Sequence, residues 1–157
     1  LLSREIEFEI VPAALDASIG LLPWGPLAGG WLTGKYRRDV APSGATRLGE
    51  DPDRGVEAYG RRSAEERTWV VLDALHEVAE GHGVPPSRVA LAWLQSRPGM
   101  TSVILGARTV VQLHDNLAAS ELELTPEQLE RLDAASAPRT PDYPYGELGV
   151  EQRARRI

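Results

Sequence analysis

The sequence predicts an α/β fold with a parallel sheet that is incomplete in this chain. Three observations carry that reading. Two short β-branched or apolar runs, "LLPW" and "TSVIL", are separated by strongly helical stretches, the order that gives parallel strands. Only these two strands are evident, and a parallel sheet needs neighbours and cover on both faces. The chain opens on Leu1 and its single methionine is Met100, so it is expected to be a piece of something longer.

Composition narrows the class. The 157 residues, 42% hydrophobic and 25% charged, suit one ordinary globular segment. The net charge of −6 argues against a broad nucleic-acid surface. The basic run "RARRI" reads as a solvated tail. Without cysteine there are no disulfides, thiolate nucleophiles or zinc knuckles. No apolar run approaches a membrane span, no signal-peptide pattern is visible, and the cytoplasm is the default expectation.

The elements follow in order. In "EFEIVPAALDAS", Phe8, Val11 and Leu15 share a helical face, Pro12 fits a first turn, and Gly20 is expected to close the helix. "LLPW" is a short strand. "GPLAGGWLTGKY" is a glycine-rich connection. Residues 37–60 read as a long polar surface loop. "SAEERTWVVLDALHEVAEGHG" is a helix with Ser63 and Glu66 as a capping box and Leu72, Leu75, Val78 and Ala79 as its apolar stripe. "PPSRVALAWLQSR" is a second helix, broken by Pro98 and Gly99. "TSVIL" is the second strand. A helix starts near Thr109. Another has Thr125 as N-cap, Pro126 at its first position and Gln128 completing a capping box. The tail from "PRTPDYPYGELG" is irregular.

Two stretches invite a phosphate. Gly29 to Lys35 spells G-x-x-x-x-G-K, but Tyr36 stands where a P-loop needs Ser or Thr to hold magnesium, and Trp31 and Leu32 put bulk into the wrap. A nucleotide-triphosphate loop is therefore rejected. The second stretch is "SVILGARTVVQLHDN". A strand runs into Gly106, Ala107 and Arg108, and a helix opens, which is anion-binding geometry. Gln112, Asp115 and Asn116 return to nearly the same helix face and suit an adenine edge or a ribose hydroxyl. The same spacing also fits a plain strand-loop-helix with solvated polar residues.

The stretches "LLSREIE", "IGLLPWGPLAGGWLTGKYR", "VALAWLQSRPGMTSVILGARTVVQLHDNLAA" and "LTPEQLERLDAAS", in this order and spacing, resemble the C-terminal part of the aldo-keto reductase superfamily. The branch is the one containing bacterial reductases and potassium-channel β-subunits. The resemblance covers residues 1 to about 145. It implies a (β/α)8 TIM barrel of about 250 residues or more, with its site at the strand C-terminal ends. "LLPW" would be strand 7 and "TSVIL" strand 8. The chain would then be one C-terminal segment. Residues 1–36 hold a helix, strand 7 and the cofactor loop. Residues 37–60 form a mobile loop. Residues 61–120 hold helices, strand 8 and the adenosine-binding helix, and residues 121–157 hold an extra helix and tail.

The implied chemistry is NADPH-dependent reduction of an aldehyde or ketone to an alcohol. By the resemblance, Trp24 stacks on the nicotinamide, unless it packs in the core. Gly25, Pro26, Leu27 and Ala28 line the pyrophosphate with backbone N–H groups. Lys35 and Arg47 are the basic residues of a loop closing over the cofactor. Gly106, Arg108, Gln112, Asp115 and Asn116 hold the adenosine half, and Arg108 suits a 2′-phosphate, favouring NADPH over NADH. Gly25 departs from the serine usual in the family, which weakens one phosphate contact.

No catalytic residue is expected here, since the family's Asp, Tyr, Lys and His lie in the first barrel half. No metal ligand is expected either. His76, His82 and His114 read as surface residues. Tyr36, Tyr59, Tyr143 and Tyr145 match no catalytic motif. Trp31 and the tyrosine-rich tail either border the substrate pocket or pack.

The expected partners are a small carbonyl substrate and the other barrel half, in the same or a separate chain. Exposed strand edges invite pairing, including self-association. The alternative is a non-catalytic NADP(H)-binding or interaction protein like the channel β-subunits, or a complementing fragment.

Overall fold

The computed structural model describes residues 1–146; the run "RARRI" and the end of the predicted tail segment lie outside the described residues. Among the described residues, helices dominate. α1 spans Ile10–Asp16, α2 Arg47–Glu50, α3 Tyr59–Ser63, α4 Glu66–His82, α5 Pro86–Gln95, α6 Val110–Leu117 and α7 Pro126–Ala135. Short 3-10 turns occupy Glu5–Glu7, Ala28–Thr33, Gly55–Glu57 and Ala118–Glu121.

The core forms where α4 lies against α5 and α7. α4 buries Leu72, Leu75, Val78 and Ala79, the stripe predicted from its spacing, together with Trp69, Val71 and Ala74. α5 adds Val89, Ala90 and Trp93, and α7 adds Leu132. Thr125 accepts the Gln128 N–H at 3.3 Å while Gln128 Oε1 accepts the Thr125 N–H at 3.0 Å, so the predicted capping box is formed.

The two predicted strands lie side by side and parallel, but each pairs through single bridges, Leu21 with Met100 and Trp24 with Ile104. The Leu21 N–H donates to Gly99 O at 2.8 Å, Thr101 N–H to Leu21 O at 2.9 Å, and Ile104 N–H to Pro23 O at 2.9 Å. Pro23 has no N–H to return, which interrupts the ladder. Ile19, Leu22, Trp24 and Ile104 on and beside this pair are exposed, as are Val110, Val111, Leu113 and Leu117 of α6.

Three expectations are corrected. α1 ends not at Gly20 but in a Schellman motif. Ser18 takes the left-handed conformation (φ 55°), its N–H donates to Leu15 O at 3.1 Å, and the Ile19 N–H donates to Ala14 O at 2.8 Å. Gly20 instead permits close approach, since a Cβ there would lie 1.9 Å from Thr101 Oγ1. Ser63 caps nothing in α4. It ends α3, its carbonyl accepts the Trp69 indole N–H at 2.9 Å, and Glu66 turns to Arg38. Residues 37–60 are not one open loop, because α2 inserts Leu48 into the core with no exposed surface.

For Trp31 the structure takes the packing alternative within this chain. It is fully buried, stacks on Tyr59 at 5.5 Å, meets Tyr36 and Trp69 edge-on at 5.1 and 5.7 Å, and donates its indole N–H to Glu57 O at 2.9 Å. In the tail, Tyr145 stacks on Phe8 at 4.9 Å and hydrogen-bonds Glu9.

Candidate cofactor site

The strand pairing brings two predicted regions together. Trp24 ends the first extended segment and Ile104 bridges to it, so the turn after Trp24 and the loop at Gly106 leave the same edge. Trp24 is 82% exposed, which rules out core packing within this chain. Gly25 has φ 63°, and a Cβ there would meet nothing within 4 Å. Space would admit a serine, but the left-handed backbone favours glycine, which gives the departure at this position a conformational reason.

Gly25 O accepts the Ala28 N–H at 2.9 Å, closing a tight turn. The expectation that all four residues of "GPLA" offer donors is therefore corrected. Pro26 has none, and that of Ala28 is used inside the turn, which leaves Gly25 and Leu27 as the groups that could face an anion.

Lys35 is exposed and its ammonium lies 5.1 Å from the Tyr36 ring centre. It lies across Gly30, where a Cβ would sit 2.5 Å from Nζ. Tyr36 itself is buried. Its hydroxyl donates to Gly29 O at 3.4 Å and accepts the Leu48 N–H at 3.3 Å, tying the glycine turn to α2. Arg47 opens α2 as an exposed residue, and its Cδ lies 3.8 Å from where a Cβ on Gly29 would be. Lys35 and Arg47 thus flank one glycine pair, although twelve residues separate them (47 − 35).

At the second loop, Gly106, Ala107 and Arg108 are all exposed. Gln112 Oε1 accepts the Arg108 N–H at 2.9 Å, so Gln112 folds back on the loop it follows. Thr109 caps α6 by accepting the Gln112 N–H at 3.2 Å. Asp115 and Asn116 have different surroundings from Gln112. Asp115 pairs with Arg88 of α5 at 3.2 Å, and Asn116 is buried. Arg108 and Gln112 are exposed and Asn116 is buried, while Asp115 keeps a 48% exposed side chain as it pairs with Arg88.

The sequence reading missed the partners of Arg108. Its Nη2 donates to Glu50 at 3.2 Å and its Nη1 to Ala45 O at 3.3 Å. Fifty-eight residues separate Glu50 from Arg108, and no local pattern links them. Arg88 was missed for the same reason. Among the described residues no three His, Cys, Asp or Glu side chains gather as metal ligands, and no helix is long and apolar enough to cross a membrane. His82 bonds Gln128 at 2.9 Å.

The chain is 35% identical over 133 residues to the uncharacterized oxidoreductase YrpG of Bacillus subtilis, covering 85% of this chain and 37% of that protein. It is 29% identical over 139 residues to a versiconal hemiacetal acetate reductase of Aspergillus parasiticus, covering 88% and 38%. It is 32% identical over 146 residues to a probable voltage-gated potassium channel β-subunit of Arabidopsis thaliana, covering 88% and 42%. The chain thus spans about two-fifths of the length of these relatives. A glycerol dehydrogenase from Gluconobacter oxydans shares the fold, with a TM-score of 0.65 at 24% identity over 88% of this chain and 42% of that one, as a part of a barrel would. The model of the Aldo/keto reductase family matches residues 1–137, and the chain belongs to that family.

Proposed function

We propose that this chain is the cofactor-gripping part of an NADPH-dependent aldo-keto reductase that reduces an aldehyde or ketone in the cytoplasm. The observation that carries the reading is the Trp24–Ile104 bridge, which sets the exposed indole, the left-handed turn at Gly25 and the Arg108 loop along one edge. These groups fit a dinucleotide. The indole offers a flat face for a ring. Gly25 leaves room for a pyrophosphate, and the Arg108 guanidinium suits a 2′-phosphate. Lys35 and Arg47 add positive charge beside the glycine turn. When bound, the nicotinamide supplies the hydride.

The chain's own residues bind and orient. The groups that deliver a proton to the carbonyl oxygen are assigned to the other part of the barrel, so this chain alone is expected to turn over no carbonyl substrate. The exposed Ile19, Leu22 and Ile104 support docking of that part, from the same chain or another. The second reading is a non-catalytic NADP(H)-binding protein. It rests on the likeness to the probable channel β-subunit.

The test uses the full-length protein. Arg108→Ala is expected to weaken NADPH by roughly tenfold or more and NADH little, since a charge-assisted phosphate contact is lost only from the former. Equal losses for both cofactors would remove Arg108 from the 2′-phosphate. Carbonyl reduction by the full-length protein separates the enzyme from the binding protein.

A further inference from the structure

Arg108 does not stand free in this fold. Its guanidinium reaches Glu50 at 3.2 Å and the Ala45 carbonyl at 3.3 Å, both in the segment that carries Arg47. The pair is open to water, with side-chain exposures of 60% and 56%. Asp115, the acidic residue expected near the adenosine, is held by Arg88 instead. The carboxylate on Arg108 is therefore one that came from a distant segment. A guanidinium that already faces a carboxylate can take a phosphate only by displacing it or by holding two anions close together. Exposed pairs of this kind hold weakly, so displacement is readily achieved but not free.

We propose that Glu50 is a specificity-determining residue that competes with a nucleotide 2′-phosphate for Arg108. This rests on the cofactor reading above. The competition penalises a 2′-phosphate and leaves a nucleotide with a free 2′-hydroxyl untouched. Glu50 thereby narrows the preference that Arg108 alone would give. Because Ala45 and Glu50 lie at the two ends of one short segment, a phosphate that displaces Glu50 also loosens the contact between residues 45–50 and the Gly106 loop.

The test titrates 2′,5′-ADP and 5′-AMP into the full-length protein, Glu50→Gln, Arg108→Ala and the double variant. Both side chains are exposed, so the core is untouched. Glu50→Gln is expected to tighten 2′,5′-ADP roughly three- to tenfold and to change 5′-AMP less than about twofold. In the Arg108→Ala background the same substitution is expected to change neither. An unchanged or weakened 2′,5′-ADP affinity in Glu50→Gln overturns the proposal, as does an equal gain for both nucleotides or a gain that survives Arg108→Ala. If the parent favours 2′,5′-ADP while Glu50→Gln is indifferent, only the role of Glu50 falls. If neither nucleotide binds any of the four proteins, the cofactor reading falls and takes this one with it.

Discussion

Arg97 donates from one nitrogen to both carboxylate oxygens of Asp133, at 3.0 and 2.8 Å, and so ties the end of α5 to α7. Asp133 is shared further. It accepts the Trp93 indole N–H at 3.0 Å and an Arg4 N–H at 3.2 Å, while the two guanidiniums lie 5.2 and 4.8 Å from the Trp93 ring centre. One carboxylate thus joins the N-terminal segment, α5 and α7.

Removing that carboxylate strands the Trp93 indole N–H and one Arg97 nitrogen, while the Arg4 nitrogen keeps Ser136 Oγ at 2.9 Å. Asp133→Ala is expected to destabilise by about 1–3 kcal/mol, the usual range for hydrogen bonds to charged groups. Partial exposure keeps the cost below that of a fully buried pair. Asp133→Asn retains one acceptor and is expected to lose less. Urea unfolding of the three proteins checks this, and midpoints that coincide would discard the hub.

The approach of Gly20 to Thr101 leads to a packing prediction. A Cβ on Gly20 would lie 1.9 Å from Thr101 Oγ1 and 3.0 Å from its Cβ, beside the Leu21–Met100 bridge. Gly20→Ala therefore pushes the two extended segments apart and is expected to cost about 1–3 kcal/mol. Thr101→Ala removes the nearer atom and should recover part of the loss when combined with it. Thermal unfolding decides the matter; a Gly20→Ala protein as stable as its parent would show that the approach is not tight.

Acid should weaken one surface link. Arg38 reaches the two oxygens of Glu66 at 2.7 and 2.9 Å, and these hydrogen bonds hold the Glu66 carboxyl below its ordinary value. The folded state then binds the proton less readily than the unfolded chain. The stabilisation is present at neutral pH and lost as pH falls below the ordinary value of 4.5 toward the depressed one. Glu66→Gln is expected to be less stable than the parent at pH 7, with the difference shrinking by about pH 3. Chemical unfolding at both pH values measures it, and a difference independent of pH would contradict the assignment.

Much of the fold was legible because its signals are local. The stripe on α4 and the Thr125–Gln128 box depend on residues within one or two turns. The Ser63 box failed because α3 ends at Ser63, so the chain at that point closes one helix rather than opening the next. Gly20 failed as a helix stop because Ser18 already takes the left-handed position, a choice that glycine count alone does not reveal. In the site, the exposed Trp24 and Arg108 stand where strand ends were expected. Gln112, Asp115 and Asn116 stand three and four residues apart in α6, as a shared face requires, but that spacing does not reveal that α5 presents Arg88 to Asp115.

The sequence by itself determined α1, α4, α5, α6 and α7, the direction of the two extended segments and the family, but not α2 or α3. Helical periodicity, capping chemistry and motif order are encoded within short windows, so they survive without knowledge of the rest. Only the tertiary structure decided that Glu50 faces Arg108, that Arg88 takes Asp115, that Tyr36 ties the glycine turn to α2, and that Trp31 is core. Each of these contacts joins residues whose meeting depends on how several elements pack at once. Hydrogen bonds and ion pairs are made at about 3 Å, so which side chains meet is set by that packing and not by spacing along the chain.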